Sequence, residues 1–510
     1  MNFKEGYPAL FLIAYGPIIC YNYLYVDLKN RVPLTFVEAY LIRKRKSMKD
    51  KEHGLGTQPI STLVWKLSIP SIIAMLANAL YSVVDRVFIG QGVNELAIGG
   101  VYLIMPIQMI IMSVQMLASS GGSTLMSISL GEKNKEKAEK YLNISLYLLI
   151  IFAIFIPIIL FIFKEQIINL LGPTESNYKY AATYFDYTIP GIPAILIGFG
   201  LNNFIRAAGD SRAAMTTILI GVFLNIILDP IFIFVLDMGV KGAAIATVIS
   251  QYVSMIWVLM YFIKDKHILK LSKHYMKLEG KLVGDIFENG LPLFLINVAN
   301  SFLMMFINLN LKRYAGATGL SAMSIVMGIS SVLFMPLYGI NQGIHPIIAY
   351  NYGAKSFDRV KEAYLKGTIY ASIVSVTAFL AIMIWPYELC SIFFNEKTGP
   401  VLELAASGLK KSMYASPFLG ISIAGTAFFQ AVKRPRTASI TSLLRQFIIL
   451  LPLIYILPLF YGIDGFWWAY TISDVLSSII VFFAVIKIMK QVKMECLANN
   501  NLGENYNERI

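Results

Sequence analysis

The run GVKGAAIATVIS at Gly239–Ser250 returns as GIDGFWWAYTIS at Gly462–Ser473, an offset of 223 residues. In both copies a glycine opens the run, a second follows three places later, and Ile-Ser closes it. Outward from this pair the echoes continue. Pro70 with Ala77-Asn78-Ala79 is matched by Pro292 with Ala299-Asn300-Ser301, and Gly121 and Gly131 by Gly343 and Gly353. Arg206-Ala207 with Arg212-Ala213 is answered by Gln430-Ala431 with Arg436-Thr437. Matches at four separate places, with offsets of 222 to 224, mark one structural unit written twice.

Composition says what kind of unit it is. Of 510 residues, 57% are apolar and 14% charged, against roughly 25% charged in a soluble globular chain. Twelve stretches reach the ~20 apolar residues that cross a bilayer. They lie near 63–90, 97–130, 141–163, 178–205, 213–236, 242–263, 283–311, 319–350, 364–394, 403–431, 438–460 and 465–489. Apolar residues surround every face of these stretches and no two-residue alternation appears, so helices and not barrel strands are expected. Six spans per unit is an even number, so both units enter the membrane from one side as parallel repeats. The expected fold is an all-α polytopic membrane protein with twelve transmembrane helices in two parallel six-helix repeats around a central cavity.

The connections set the orientation. One side carries 19 Lys and Arg, from Lys133 through Arg436, and the other 6, which puts both ends of the twelve-span core in the cytoplasm of a cell (plasma) membrane protein. Residues 57–263 form the first lobe, 264–281 a basic linker near lipid head groups, 282–490 the second lobe and 491–510 a polar tail. Residues 1–56 are an N-terminal extension. Within it Ala9–Val26 resembles a further span, but Pro8, Pro17 and Asn22 weaken it and no small-residue cleavage site follows, so a start at Met48 is expected, with the upstream segment a translation artefact.

Several chemistries are excluded. Cys20, Cys390 and Cys496 are far apart, and His53, His267, His274 and His345 form no HxxxH pair. No GxSxG, phosphate-binding GxxxxGK[ST] or Asp-rich box is present, so no enzyme activity, cofactor or bound metal beyond a coupling Na⁺ is expected. The net charge of +13 is spread between spans and not along one stripe, which argues against nucleic acid. A single chain, a monomer in contact with membrane lipid, is expected to suffice.

Ionisable residues at membrane depth are expensive and therefore candidates for function. In the first half these are Asp85 in span one, Asp186 at the outer end of span four and Asp229 in span five. Asp229 lies 17 residues beyond Arg212, about 25 Å up the helix. Asp85 lies in the last third of its own span, with Tyr184 and Thr247 at comparable depth. Asn225 and Asp229 are four apart and share a face, while Pro230 removes a donor and should bend the helix. Two carboxylates in an apolar site cannot both ionise cheaply without a cation, which points to Na⁺ or H⁺. Their repeat equivalents are Ile307 and Pro452, so coupling is expected in the first half alone. Glu288 and Asp474 in the second half are candidates for structure as much as function, with Lys410 and Lys411 available to neutralise them.

The chain resembles the multidrug and toxic compound extrusion (MATE) family across residues 57–490. The resemblance rests on IPSIIAMLANALYSVVDRVFIG at 69–90, RAAGDSR at 206–212, LNIILDPIFIF at 224–234, GVKGAAIATVISQ at 239–251 and NYGAK at 351–355. It implies a secondary-active multidrug efflux antiporter that exports organic cations or other small-molecule drugs in exchange for Na⁺ or H⁺. It also implies an ion-coupling set of Asp85, Tyr184, Asn225, Asp229 and Thr247, and a substrate cavity with Asn78, Asn202 and Asn300. Two departures stand out. Asn300 occupies a position where some members carry glutamate, so a second-half cation site of that type is not expected. His345 stands where glutamine is usual, as a polar substitute or a titrating group. The rival functions are a lipid-linked saccharide flippase, which needs a strongly basic cavity, and a membrane-embedded transferase, which needs an acidic or histidine box that is absent.

Overall fold

The computed structural model describes residues 54–93, 95–173, 175–263, 269–272, 275, 279–392 and 399–507. Most of the N-terminal extension, with the start expected at Met48, and most of the basic linker lie outside these residues. Helix accounts for every regular element among them. Ten helical runs are long and apolar enough to cross a bilayer, and the pair Pro400–Ser412 and Ser416–Ala431, bent by 46°, makes an eleventh. The last run, Pro435–Leu497, has 63 residues, about three bilayer thicknesses if straight. It is folded back on itself at Gly462, whose backbone (φ 54, ψ −141) is not helical. Ser473 Oγ donates to the Arg445 carbonyl at 2.6 Å, so residues on either side of the turn run alongside each other. Twelve spans result, as expected. Gly316 (φ 58, ψ −143) makes the equivalent turn between spans seven and eight inside Gly280–Gly353. A side chain at this combination of positive φ and strongly negative ψ would clash with its own backbone, which is why glycine holds both turns.

Proline accounts for the places where helices stop short of the apolar stretches. The expected span 97–130 divides into Glu95–Leu103 and Met105–Gly131 just before Pro106, and the expected 364–394 ends at Ile384, with Pro386 starting a short helix. Span four is interrupted by the 3₁₀ turn Ile189–Gly191 beside Pro190 and Pro193, and span ten by Ser416–Phe418 beside Pro417. A missing amide donor and a ring against the preceding turn produce each break.

The two halves meet at the Lys-rich face through glycines placed by the repeat. A Cβ on Gly131 would lie 1.9 Å from the Tyr350 carbonyl oxygen, and one on Gly353 would lie 2.0 Å from that of Ile128. Gly121 abuts the backbone of Ile286 and Gly290 in span seven, while Gly343 abuts the backbone of Ser68 in span one. Each contact is the image of its partner under the offset of 222 residues, the signature of an approximate two-fold axis. In lipid, where apolar surface gives no preference for a neighbouring helix, such close backbone approach is a main source of helix association.

The first span of each half crosses to the other half at this face. Leu55, Ile60, Leu63, Val64 and Leu67 are buried in one core with Leu337, Ile340 and Ile344. Reciprocally, Ile286 of span seven is buried in the first half's core with Leu142, Leu201 and Phe204. The described part of the linker is tied down as well. Asn143 accepts from the Ser272 amide at 2.8 Å and donates to the Lys270 carbonyl at 3.1 Å.

Candidate functional site

Within the first half, spans one, four, five and six bring the five expected ion-coupling residues together. Asp85 is 7% exposed and Asp229 fully buried, and their carboxyl groups interact directly. Asn225 Nδ2 lies 3.2 Å from Asp229 Oδ1 and 3.4 Å from Thr247 Oγ1, donating to both. The Tyr81 hydroxyl is 3.4 Å from the same threonine oxygen. The Tyr184 hydroxyl interacts with Thr247 and with Gln108 of span two. Asp229 Oδ2 and Asn225 Oδ1 are buried and receive no hydrogen bond from the described residues. A cluster of carboxyl, amide and hydroxyl oxygens is the ligand chemistry of a proton or a hard cation. Pro230 ends the regular helix that bears Asn225 and Asp229, and a π turn, Ile231–Val235, follows, closed by the Leu236 amide on the Ile231 carbonyl at 2.9 Å.

Beside this cluster lies a cavity of about 70 Å³ lined by Asn78, Tyr81, Asn202, Thr217, Asn225 and Thr247, among others. It has room for an ion and a few waters, far less than the several hundred Å³ of a drug-sized pocket. Asn202 is buried, and its Nδ2 donates to the Ala214 carbonyl at 2.9 Å, so that side chain joins spans four and five. Asn78 and Asn202 thus line this small cavity, Asn202 at the level of Ala214, about 22 Å along span five from Asp229, while Asn300 opens onto a different space.

That space is a central cavity of about 520 Å³ between the halves, with Met75, Met116, Leu293, Ile296 and Tyr338 as its apolar wall. Its polar wall includes Asn300, Asn297, His345 and Gln430. Arg206 reaches in and donates from Nη1 to Gln342 Oε1 at 2.8 Å and from Nη2 to Asn203 Oδ1 at 2.5 Å. His345 Nε2 lies 3.4 Å from Thr124 Oγ1. Arg445, on the π turn Leu444–Leu450, donates from Nε to Asp474 Oδ1 at 2.7 Å. Replacing Asp474 with asparagine should therefore destabilise the protein by about 2 kcal/mol, since Arg445 loses its counter-charge but keeps access to cavity water. Thermal unfolding in detergent measures this, and an unchanged midpoint would remove the pair from the stabilising contacts.

The other intramembrane candidates pair near the surface. Asp186 meets Lys164 at 2.6 Å and Glu288 meets Arg436 at 3.5 Å. Lys411 meets Asp464 at 2.5 Å at the span eleven–twelve turn and does not reach Asp474. Sequence reasoning left out Tyr81, which was legible four residues before Asp85 on the same helical face. It also counted Arg206 among the loop cations, because Arg206 sits within one turn of the helix end and only the packing of span eight against it reveals the cavity.

The MatE family model matches the chain twice, at residues 70–231 and again at 292–456. Multidrug export protein MepA of Staphylococcus aureus (strain bovine RF122 / ET3-1) is 26% identical over 439 residues, covering 86% of this chain and 96% of that protein. MepA of Staphylococcus saprophyticus is 26% identical over 420 residues, covering 82% and 92%. Among solved structures, the outward-facing conformation of a multidrug resistance MATE family transporter of the MOP superfamily superposes with a TM-score of 0.81. That likeness covers 86% of this chain and 98% of the other at 22% identity, and it speaks to the fold alone. With one match in each six-span half, each beginning at the proline of that half's first span, the chain belongs to the MatE family of membrane transporters.

Proposed function

We propose that this protein is a secondary-active antiporter that exports bulky, drug-like organic molecules across the cell membrane in exchange for Na⁺ or H⁺. The buried Asp85–Asp229 pair, with Asn225, Thr247 and Tyr184 around it, carries the proposal. Uptake of H⁺ or Na⁺ removes net charge from the pair and lowers the cost of closing apolar walls around it. Span one links that event to the seam. Its far end holds Asp85, while its near end lies in the second half's core and touches Gly339 and Gly343. A shift of span one at the carboxyl pair is thereby felt where the halves seal. The Lys excess on the sealed face supports a cytoplasmic orientation for that face. Relatives named as multidrug export proteins support the cargo class. The saccharide-flippase alternative draws on two cavity arginines, but Asp474 neutralises one of them.

The deciding experiment is export of fluorescent dyes from vesicles under Na⁺ and proton gradients imposed separately. Export that follows one gradient identifies the coupling ion. Export that follows neither removes the antiport.

A further inference from the structure

We propose that the central cavity takes molecules carrying an anionic group, a carboxylate, sulfonate or phosphate, on an apolar body. This rests on the export function above and specifies its cargo. Among the described residues lining the cavity there is no aspartate or glutamate, and the charged members are Arg206 and Arg445. Arg445 is matched by Asp474 at 2.7 Å. Arg206 has only the neutral partners Gln342 and Asn203 among the described residues, so the cavity holds an uncompensated positive charge. Two of the five guanidinium N–H donors are engaged, which leaves three for a ligand oxygen. The fork geometry of guanidinium suits the paired oxygens of carboxylate and phosphate.

A second observation also points to a ligand. Gln430 is 6% exposed and lines the cavity, and its Nε2 has no partner among the described residues. Ser442 Oγ, a hydroxyl on the same lining, is likewise buried without a partner among those residues. Buried donors left unmade are costly, and a bound polar group offsets that cost. The wall of Met75, Met116, Leu293 and Ile296 suits an apolar body. Arg206 belongs to the first half and Gln342 to the second, so an anion drawing the guanidinium away would loosen a bond between the halves.

The test is equilibrium binding of two xanthene dyes to the full chain in nanodiscs, followed by fluorescence polarisation. Fluorescein is anionic at neutral pH and a rhodamine methyl ester of similar size is cationic. Wild-type protein should bind fluorescein about tenfold or more tightly than the rhodamine, the range expected for a charge-assisted hydrogen-bonded pair. Arg206→Gln should erase that preference by weakening fluorescein alone, and Arg206→Lys should keep part of it. A wild type that prefers the rhodamine, or an Arg206→Gln that weakens both dyes equally, overturns the proposal. Should Arg206→Gln fail to fold, the wild-type preference alone decides. Phosphatidylglycerol in the nanodisc separates two sources of the anion. Displacement of fluorescein by the lipid assigns a head group, and retention assigns a free solute. Binding needs no gradient, so a cation preference with intact gradient-driven export removes only the charge assignment. Absence of gradient-driven export removes the antiport instead.

Discussion

Replacing Asp229 with asparagine is expected to reduce gradient-driven export to the level of empty vesicles while the protein still inserts, folds and binds dye. Asparagine has the shape of aspartate and can keep the contact that Asn225 makes with it at 3.2 Å, but it cannot take up and release a charge. Asp229 is fully buried, and the carboxyl group of Asp85 beside it is 7% exposed. Removing one of two adjacent buried carboxyls lowers the desolvation cost of the fold, so loss of export cannot be ascribed to instability. Two measurements separate coupling from binding. Dye export under an imposed Na⁺ or proton gradient should vanish, and dye binding in the absence of a gradient should remain within a few-fold of wild type. Near wild-type export would take Asp229 out of the mechanism.

A second large effect is expected at the seam between the halves. Gly131→Leu places a Cβ where the Tyr350 carbonyl oxygen stands 1.9 Å away, and that oxygen is backbone, held in the helix that ends at Gly353. Nothing there is a flexible side-chain end that could yield, so spans two and eight must separate at the Lys-rich face. The halves then fail to seal, and export should fall by about tenfold or more, equivalent to ~1.4 kcal/mol or more against the sealed state. The readout specific to this cause is access to the central cavity. In a background lacking the native cysteines, Ser123→Cys lines the cavity and is buried in the sealed state. A membrane-impermeant maleimide applied from the Lys-rich face should label it slowly in the parent and rapidly in the Gly131→Leu variant. Gly284→Leu is the control, because a Cβ there meets nothing within 4 Å. Equal labelling in all three, with export intact, would mean that the glycine contacts do not gate the cavity.

Local chemistry carried part of this outcome in the sequence itself. Hydropathy and the offset of 222 to 224 residues determine twelve spans in two parallel halves, because span length and repetition are properties of a continuous stretch. The carboxyl pair and its neighbours were half legible. Asn225 and Asp229 share a helical face by their spacing of four, and depth counted from the helix ends brings Asp85, Tyr184 and Thr247 to the same level. Tertiary structure decided the rest. In lipid the residues around a helix are apolar on every side, so the hydrophobic pattern does not say which helix is a neighbour, and small-residue contacts settle the choice. Hence Gly131 and Gly353 read as repeat markers until Tyr350 and Ile128 are seen against them. Span one is assigned to the first half by order along the chain, although its Ile60, Leu63 and Leu67 lie in space within the core of the second. Arg206 shows the same limit. Its place near a helix end is that of a loop cation, and only Gln342, 136 residues away, reveals that it faces the cavity between the halves.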